Sequence, residues 1–299
     1  MQKILPPFAI IFAAILWSLN GLFRQELYSL PAILIVTLEH ALGAVLLCPL
    51  LFRSWRDIKT LNQQGWVSII WISICGGLLG TFFYTKALSY IDYIDLSVVV
   101  LLQKLQPLFA ISLAAIILKE KLSKQFIVLS CIAMIGGYFV TFGTTPISAW
   151  DDKTIIAALL ATLAAFSWGS STVLGKHALK RLPFTVVTAL RLTITAFVAL
   201  GVYIYVTPSA ATSINLSYIQ WRNLFLIVLS SGTVALFIYY YGLKYLPASH
   251  TSLYELTWPL SAVFLDWIVR GRVLTISQFI GASLLLGSMF FLSREKINE

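Results

Sequence analysis

The sequence predicts an all-α integral membrane protein, ten transmembrane helices arranged as two inverted five-helix repeats. Three observations carry that prediction. Of 299 residues, 59% are hydrophobic and 11% charged, with a mean hydropathy of +0.88, whereas about a quarter of the residues of a soluble domain are charged. A helix needs about 20 mainly apolar residues to cross a hydrocarbon core of about 30 Å, and ten such stretches follow one another with only short polar loops between them. Landmarks of the first five stretches recur in the second five, and an internal repeat governs how everything inside it is read.

The spans cover residues 7–24, 31–52, 66–88, 94–118 and 124–142 in the first half, and 153–175, 184–206, 221–243, 249–269 and 275–293 in the second. The first follows Lys3 and has no small-residue cleavage site, so it reads as a retained helix and not a removed signal peptide. The second begins at Pro31 and carries Glu39 and His40. The third, fifth and tenth hold Gly76, Gly77, Gly80, Gly136, Gly137, Gly281 and Gly287, small residues that let neighbouring helices approach closely. The fourth contains "LLQKLQPLFA", residues 101–110, in which Lys104 stands three residues before Pro107. The longest loops, near 53–65 and 207–220, leave no room between the spans for a separate soluble domain.

Cys48, Cys75 and Cys131 each lie inside an apolar span without the Cys or His spacing of a metal site, so they read as packing residues, and neither metal nor cofactor is expected. The net charge of +9 raises nucleic acid as a partner, but its distribution fits orientation in a bilayer better. With the amino terminus in the cytoplasm, thirteen of the 21 Lys and Arg fall in cytoplasmic segments and six, Arg24 among them, outside, with Lys104 and Arg191 left within spans. Both termini are therefore expected on the cytoplasmic side of the cell (inner) membrane, in a monomer or homodimer with no nucleic-acid role.

The repeat fixes the organisation. "LLQKLQPLFA" aligns with "LYELTWPLSA", residues 253–262, placing Gln103 against Glu255 and Pro107 against Pro259. The same offset relates Pro31 to Pro183 and Glu39 to Arg191. Trp17 matches Trp168, Trp66 matches Trp221 and Tyr84 matches Tyr239, with offsets that change in the loops. Five spans are an odd number, so the second half, residues 146–299, enters the bilayer from the side opposite to the first, residues 1–145. Inverted repeats of this kind are common in secondary transporters, with the substrate at the midplane where the repeats meet.

Residues 239–291, "YYYGLKYLPASHTSLYELTWPLSAVFLDWIVRGRVLTISQFIGASLLLGSMFF", and residues 82–139 resemble the EamA domains of the drug/metabolite transporter superfamily. Shared elements are a small residue and leucine ending a span (Ala87-Leu88, Gly242-Leu243), a proline inside the next helix, a charged turn and a final small-residue-rich helix. The resemblance spans nearly the whole chain and implies a ten-span carrier of small metabolites, often an exporter. At the last turn, where such proteins show glycine then glutamate, Lys119-Glu120 keeps the acid and Gly271-Arg272 replaces it with a cation.

Buried charge points to the site. Ionisable groups at membrane depth usually face a bundle interior or an aqueous cavity, and Glu39, Lys104, Arg191 and Glu255 lie well inside spans, with His40 beside the first. One reading pairs Glu39 with Arg191 and Lys104 with Glu255 to fasten the halves, although desolvation can cancel what such pairs gain. The other makes them part of a hydrated central site, with Gln103. Pro107 and Pro259 each remove a helical hydrogen bond, at the carbonyls of Gln103 and Glu255, and a freed carbonyl in lipid needs another partner. Spans four and nine are thus expected to kink and present a polar point, with a plain structural kink as the alternative. Trp17, Trp168, Tyr84, Tyr239 and Trp258 are candidates to line the cavity or to pack helices.

Function follows as an expectation: alternating-access transport of a small polar organic metabolite, with an amino-acid-like zwitterion favoured because the site offers both acid and base, in the export direction. A multidrug or organic-cation exporter and a lipid-linked sugar flippase are the alternatives. Coupling to protons through Glu255 or Glu39 is open. No catalytic signature occurs, neither a His-Glu-x-x-His pair nor a Gly-x-Ser-x-Gly elbow, so an enzyme is not expected.

Overall fold

A computed structural model describes residues 5–27, 29–88, 103, 105–142, 152–207, 215–270 and 275–294. The chain is an all-α membrane protein of two five-helix halves. The first span is Leu5–Ser18 with Asn20–Arg24, the second Ala32–Arg53, and the third runs from Gln63–Trp71 through Ile72–Leu79 to Gly80–Leu88. The described part of the fourth is Gln106–Leu118, and the fifth is Lys124–Phe142. Asp152–Leu179, Phe184–Val206 and Tyr218–Tyr245 form spans six to eight, Ala248–Tyr254 with Thr257–Arg270 the ninth, and Ile276–Arg294 the tenth. Six of these helices are long and apolar enough to cross a membrane by length and composition alone.

Local chemistry starts these helices in matched ways in the two halves. Pro31 and Pro183 stand immediately before spans two and seven at φ −56° and −58°, a preset backbone angle where the missing N–H costs nothing. The Asn62 side chain accepts from the Gly65 N–H to cap span three, and Ser217 forms a reciprocal capping box with Gln220 at span eight. Both of these spans also loosen into π-helix partway along, at Ile72–Leu79 and Val228–Gly232. Wide turns of this type free carbonyls from their usual partners and collect at functional sites. Thr195 and Trp168 donate to two such carbonyls, those of Ser73 and Gly76, at 2.8 and 3.1 Å.

Packing crosses the halves in symmetric pairs. Span two packs on span seven and span five on span ten; span one packs on eight and nine, as span six packs on three and four. An inverted repeat produces this pattern, because each helix and its mate meet equivalent partners. Gly136 permits the close approach of spans five and ten, since a Cβ there would lie 2.8 Å from the Gly281 carbonyl oxygen. Gly287 differs from the expectation: a Cβ would meet nothing within 4 Å, so no packing requirement holds glycine there. Outward faces are apolar, with Phe8, Val45, Ile116 and Phe197 at least 60% exposed, as a chain solvated by acyl tails requires.

Candidate functional site

Between the halves lies a cavity of about 270 Å³, near the lower end of the range for small-molecule sites. Ten of the eleven residues singled out in the sequence line it: Trp17, Glu39, His40, Tyr84, Gln103, Trp168, Arg191, Tyr239, Glu255 and Trp258. Lys104 lies outside the described residues. The elements that bring them together are spans one, two and three with six to nine, plus Gln103 and Gln106 from the fourth.

The ionic partners differ from those expected. Glu39 does not pair with Arg191. Both of its carboxylate oxygens accept from Nη2 of the Arg24 guanidinium, at 2.6 and 2.8 Å, in a pair whose side chains are 5% and 9% exposed. Arg24 also donates to Asn20 Oδ1 at 2.7 Å and to Thr85 Oγ1 at 3.2 Å, and Asn20 reaches across the halves to Ser231 at 3.1 Å. Counted among the cations on the outer side, at the end of span one, Arg24 turns inward: the first span breaks at Leu19 and restarts as Asn20–Arg24. Carboxylate burial on this scale needs a charged, hydrogen-bonded counterpart.

Arg191 instead donates to Tyr240 Oη at 2.8 Å, with its guanidinium 5.7 Å from that ring's centre. No described carboxylate forms an ion pair with it. Glu255 accepts from Tyr239 Oη at 2.7 Å and from the Gln106 amide, and Tyr239 is in turn bonded to Thr172 at 2.8 Å. Consecutive residues thus split between the two charges: Tyr239 and Thr172 serve the acid, Tyr240 serves the cation. His40 Nδ1–H donates to the Val36 carbonyl at 2.9 Å, so its other ring nitrogen carries the remaining capacity of the ring.

Pro107 and Pro259 do not kink continuous helices. Each stands in the first turn of a helix, Gln106–Leu113 and Thr257–Arg270, where backbone N–H groups have no intrahelical partner anyway. In span nine the break falls at Glu255 and Leu256, which places the carboxylate at a gap between two half-helices. Interrupted helices of this form supply substrate sites in transporters.

Rings occupy much of the remaining wall. Trp17 lies 5.2 Å from Tyr239, and Tyr84 lies 5.4 Å from Trp168 and 6.4 Å edge-on from Trp258, all between ring centres. Among the buried polar atoms without a hydrogen-bond partner, four belong to the lining: Gln103 Oε1, Ser171 Oγ, Arg191 Nε and Thr233 Oγ1. Such atoms are costly unless something meets them. Sequence reasoning missed Arg24, Gln106, Ser171, Thr172, Thr233 and Tyr240. Gln106 had a signal, since it is the repeat mate of Trp258, and the polar run Ser170–Thr172 in the middle of span six was another.

The chain matches the EamA-like transporter family over residues 5–142 and 155–294. It is 34% identical to the riboflavin transporter ImpX of Fusobacterium nucleatum, over 95% of this chain and 96% of that one. A riboflavin transporter of Brucella anthropi is 24% identical over 89% of both chains. The uncharacterized transporter YoaV of Bacillus subtilis is 24% identical, covering 96% and 98%. A solved crystal structure 18% identical to the chain superposes with a TM-score of 0.76 over 98% of each, which shows the shared fold.

Proposed function

The chain belongs to the EamA-like transporter family, and from that premise we propose that it carries a flat, polar heteroaromatic solute of the riboflavin kind by alternating access. The observation that supports this most is the aromatic wall, Trp17, Tyr84, Trp168, Tyr239 and Trp258 around one cavity between the inverted halves. Ring faces recognise flat π-systems by offset or edge contacts, each adding about 0.5–1.5 kcal/mol beyond area burial. Two relatives covering nearly all or most of the chain carry riboflavin in their names. An amino-acid-like zwitterion ranks below this, because Glu39 is already engaged by Arg24 and an α-amino acid offers most of the rings nothing to stack on.

The cell membrane is the proposed site, with both ends in the cytoplasm: ten spans return the chain to its starting side, and basic residues gather there. We place the boundary between the two halves at residues 145 and 146. Alternating access runs either way down a gradient, so export follows from coupling and not from the cavity. Glu255, whose described hydrogen-bond partners Tyr239 and Gln106 are neutral, is the proposed proton carrier. Purified protein in proteoliposomes tests the reading. Saturable riboflavin counterflow, competed by flavin analogues and not by amino acids, is the expected result; equal flux in protein-free vesicles overturns it.

A further inference from the structure

A second cleft, of about 380 Å³, shares no lining residue with the central cavity. It opens where the start of span three meets the ends of spans four and six. Its floor joins the two halves, since Ser68 Oγ and His177 Nδ1 are hydrogen-bonded at 2.8 Å. Its walls change character along their length. Val67 and Ile117 are 54% and 44% exposed, and Ile70 and Trp71, on the same face of span three as Val67, continue the apolar track toward the middle of the membrane. Gln63 and Gln64 offer exposed amides at the mouth, a turn before Val67.

Charge around the mouth is mostly of one sign. Lys180 and Arg181, both exposed, follow His177 by three and four residues, and the Lys180 N–H donates to the His177 carbonyl. That turn keeps them beside the cleft, and the charges of both act on the His177 ring. Exposed Lys119 and Lys121 follow Ile117, and exposed Lys59 precedes Gln63. The acids in these segments are Asp57 and Glu120, and Glu120 is spent on the backbone N–H groups of Ala248 and Ser249. Among the described residues no acid lines the cleft. An occupant therefore needs an apolar tail for the track and a negative head for the rim, while a choline head finds no carboxylate in the lining to meet its cation. We propose that this cleft binds an anionic phospholipid, with its phosphodiester between Gln63, Gln64 and the Lys180–Arg181 turn and an acyl chain along Val67 and Ile117. Basic pockets between membrane helices hold acidic head groups in this way. Because the walls come from spans three and four of one half and span six of the other, the lipid bridges the halves beside the Ser68–His177 bond and stabilises the folded chain. The site stands apart from the flavin reading.

Thermal unfolding of the purified, delipidated full-length chain in a neutral detergent tests it. Dioleoylphosphatidylglycerol is expected to raise the melting temperature, whereas dioleoylphosphatidylcholine or inorganic phosphate at the same concentration leaves it unchanged. Lys180→Gln with Arg181→Gln is expected to demand about 10- to 30-fold more phosphatidylglycerol for the same rise, as the loss of two surface cations implies. Val67→Trp, which fills the cleft and keeps every charge, is expected to lose the rise as well. Lys244→Gln with Arg294→Gln removes two cations from the ends of spans eight and ten, which do not line the cleft, and is expected to keep it. Equal rises with the two lipids, a rise with phosphate alone, a full rise in Val67→Trp, or equal losses in the two paired variants would each overturn the site.

Discussion

At the residue scale, the buried charges are distinguished by the company they keep. Among the described residues, Glu39 is the acid whose charge is held by a cation, and that cation, Arg24, is 4% exposed and spends its donors on Asn20, Thr85 and Glu39. Removing one member of a buried pair strands the other, so Arg24→Ala is expected to lower stability by about 3–5 kcal/mol. Thermal unfolding in detergent measures it, and the double substitution Arg24→Met with Glu39→Leu should lose much less. Glu255 is different: Gln106 and Tyr239 donate to it, and both come from elements that also shape the cavity. If it carries the proton, Glu255→Gln is expected to abolish accumulation driven by a proton gradient while sparing counterflow, read as labelled flavin uptake with and without the gradient.

At the scale of elements, the helices that break matter most. Span four ends with Lys119 at φ 57°, the only non-glycine residue with positive φ among those described. A β-carbon in that left-handed region costs about 1–2 kcal/mol, so Lys119→Gly is expected to stabilise the chain by about 1 kcal/mol, seen as a raised melting temperature. The strained turn has a use in the fold. It delivers Glu120 across the halves to the start of span nine, where the carboxylate accepts from the backbone N–H of Ala248 at 2.7 Å and of Ser249 at 3.1 Å. Those N–H groups have no side-chain cap of their own, because Pro247 precedes the helix, so an acid supplied by the other half satisfies them and suits the helix dipole. Lys176 ties the same end of the molecule from the opposite helix terminus, donating to the carbonyls of Leu243 and Lys244.

At the scale of the whole molecule, almost every major helix contact joins one half to the other. Spans one and six each lie against two helices of the opposite half, and the cavity exists only where both sets meet. Neither half buries its polar residues alone: Glu39 and Arg24 belong to the first, but Asn20 needs Ser231, Gln106 needs Glu255, and Arg191 packs against Gly76, where a Cβ would lie 2.9 Å from its guanidinium. The halves, residues 1–145 and 146–299, are therefore expected to be protease-sensitive when produced singly, and to recover a protease-resistant, flavin-quenching complex when produced together. Stable, monodisperse single halves would contradict that dependence.

The sequence by itself determined the spans, their number, the doubling and hence the inversion, because all four are written in hydropathy and in matched landmarks along the chain. It also marked the charged and aromatic part of the cavity lining, ten residues in all, since charge at membrane depth is too costly to be placed without a reason. Only the tertiary structure decided the partners. Glu39 and Arg191 are repeat mates, yet Glu39 takes Arg24 and Arg191 takes Tyr240, and the prolines begin half-helices where a kink was expected. Periodicity says how deep a side chain sits and on which face. Which atom it meets depends on helix breaks at single residues and on packing between halves 150 residues apart, and neither has a local signature.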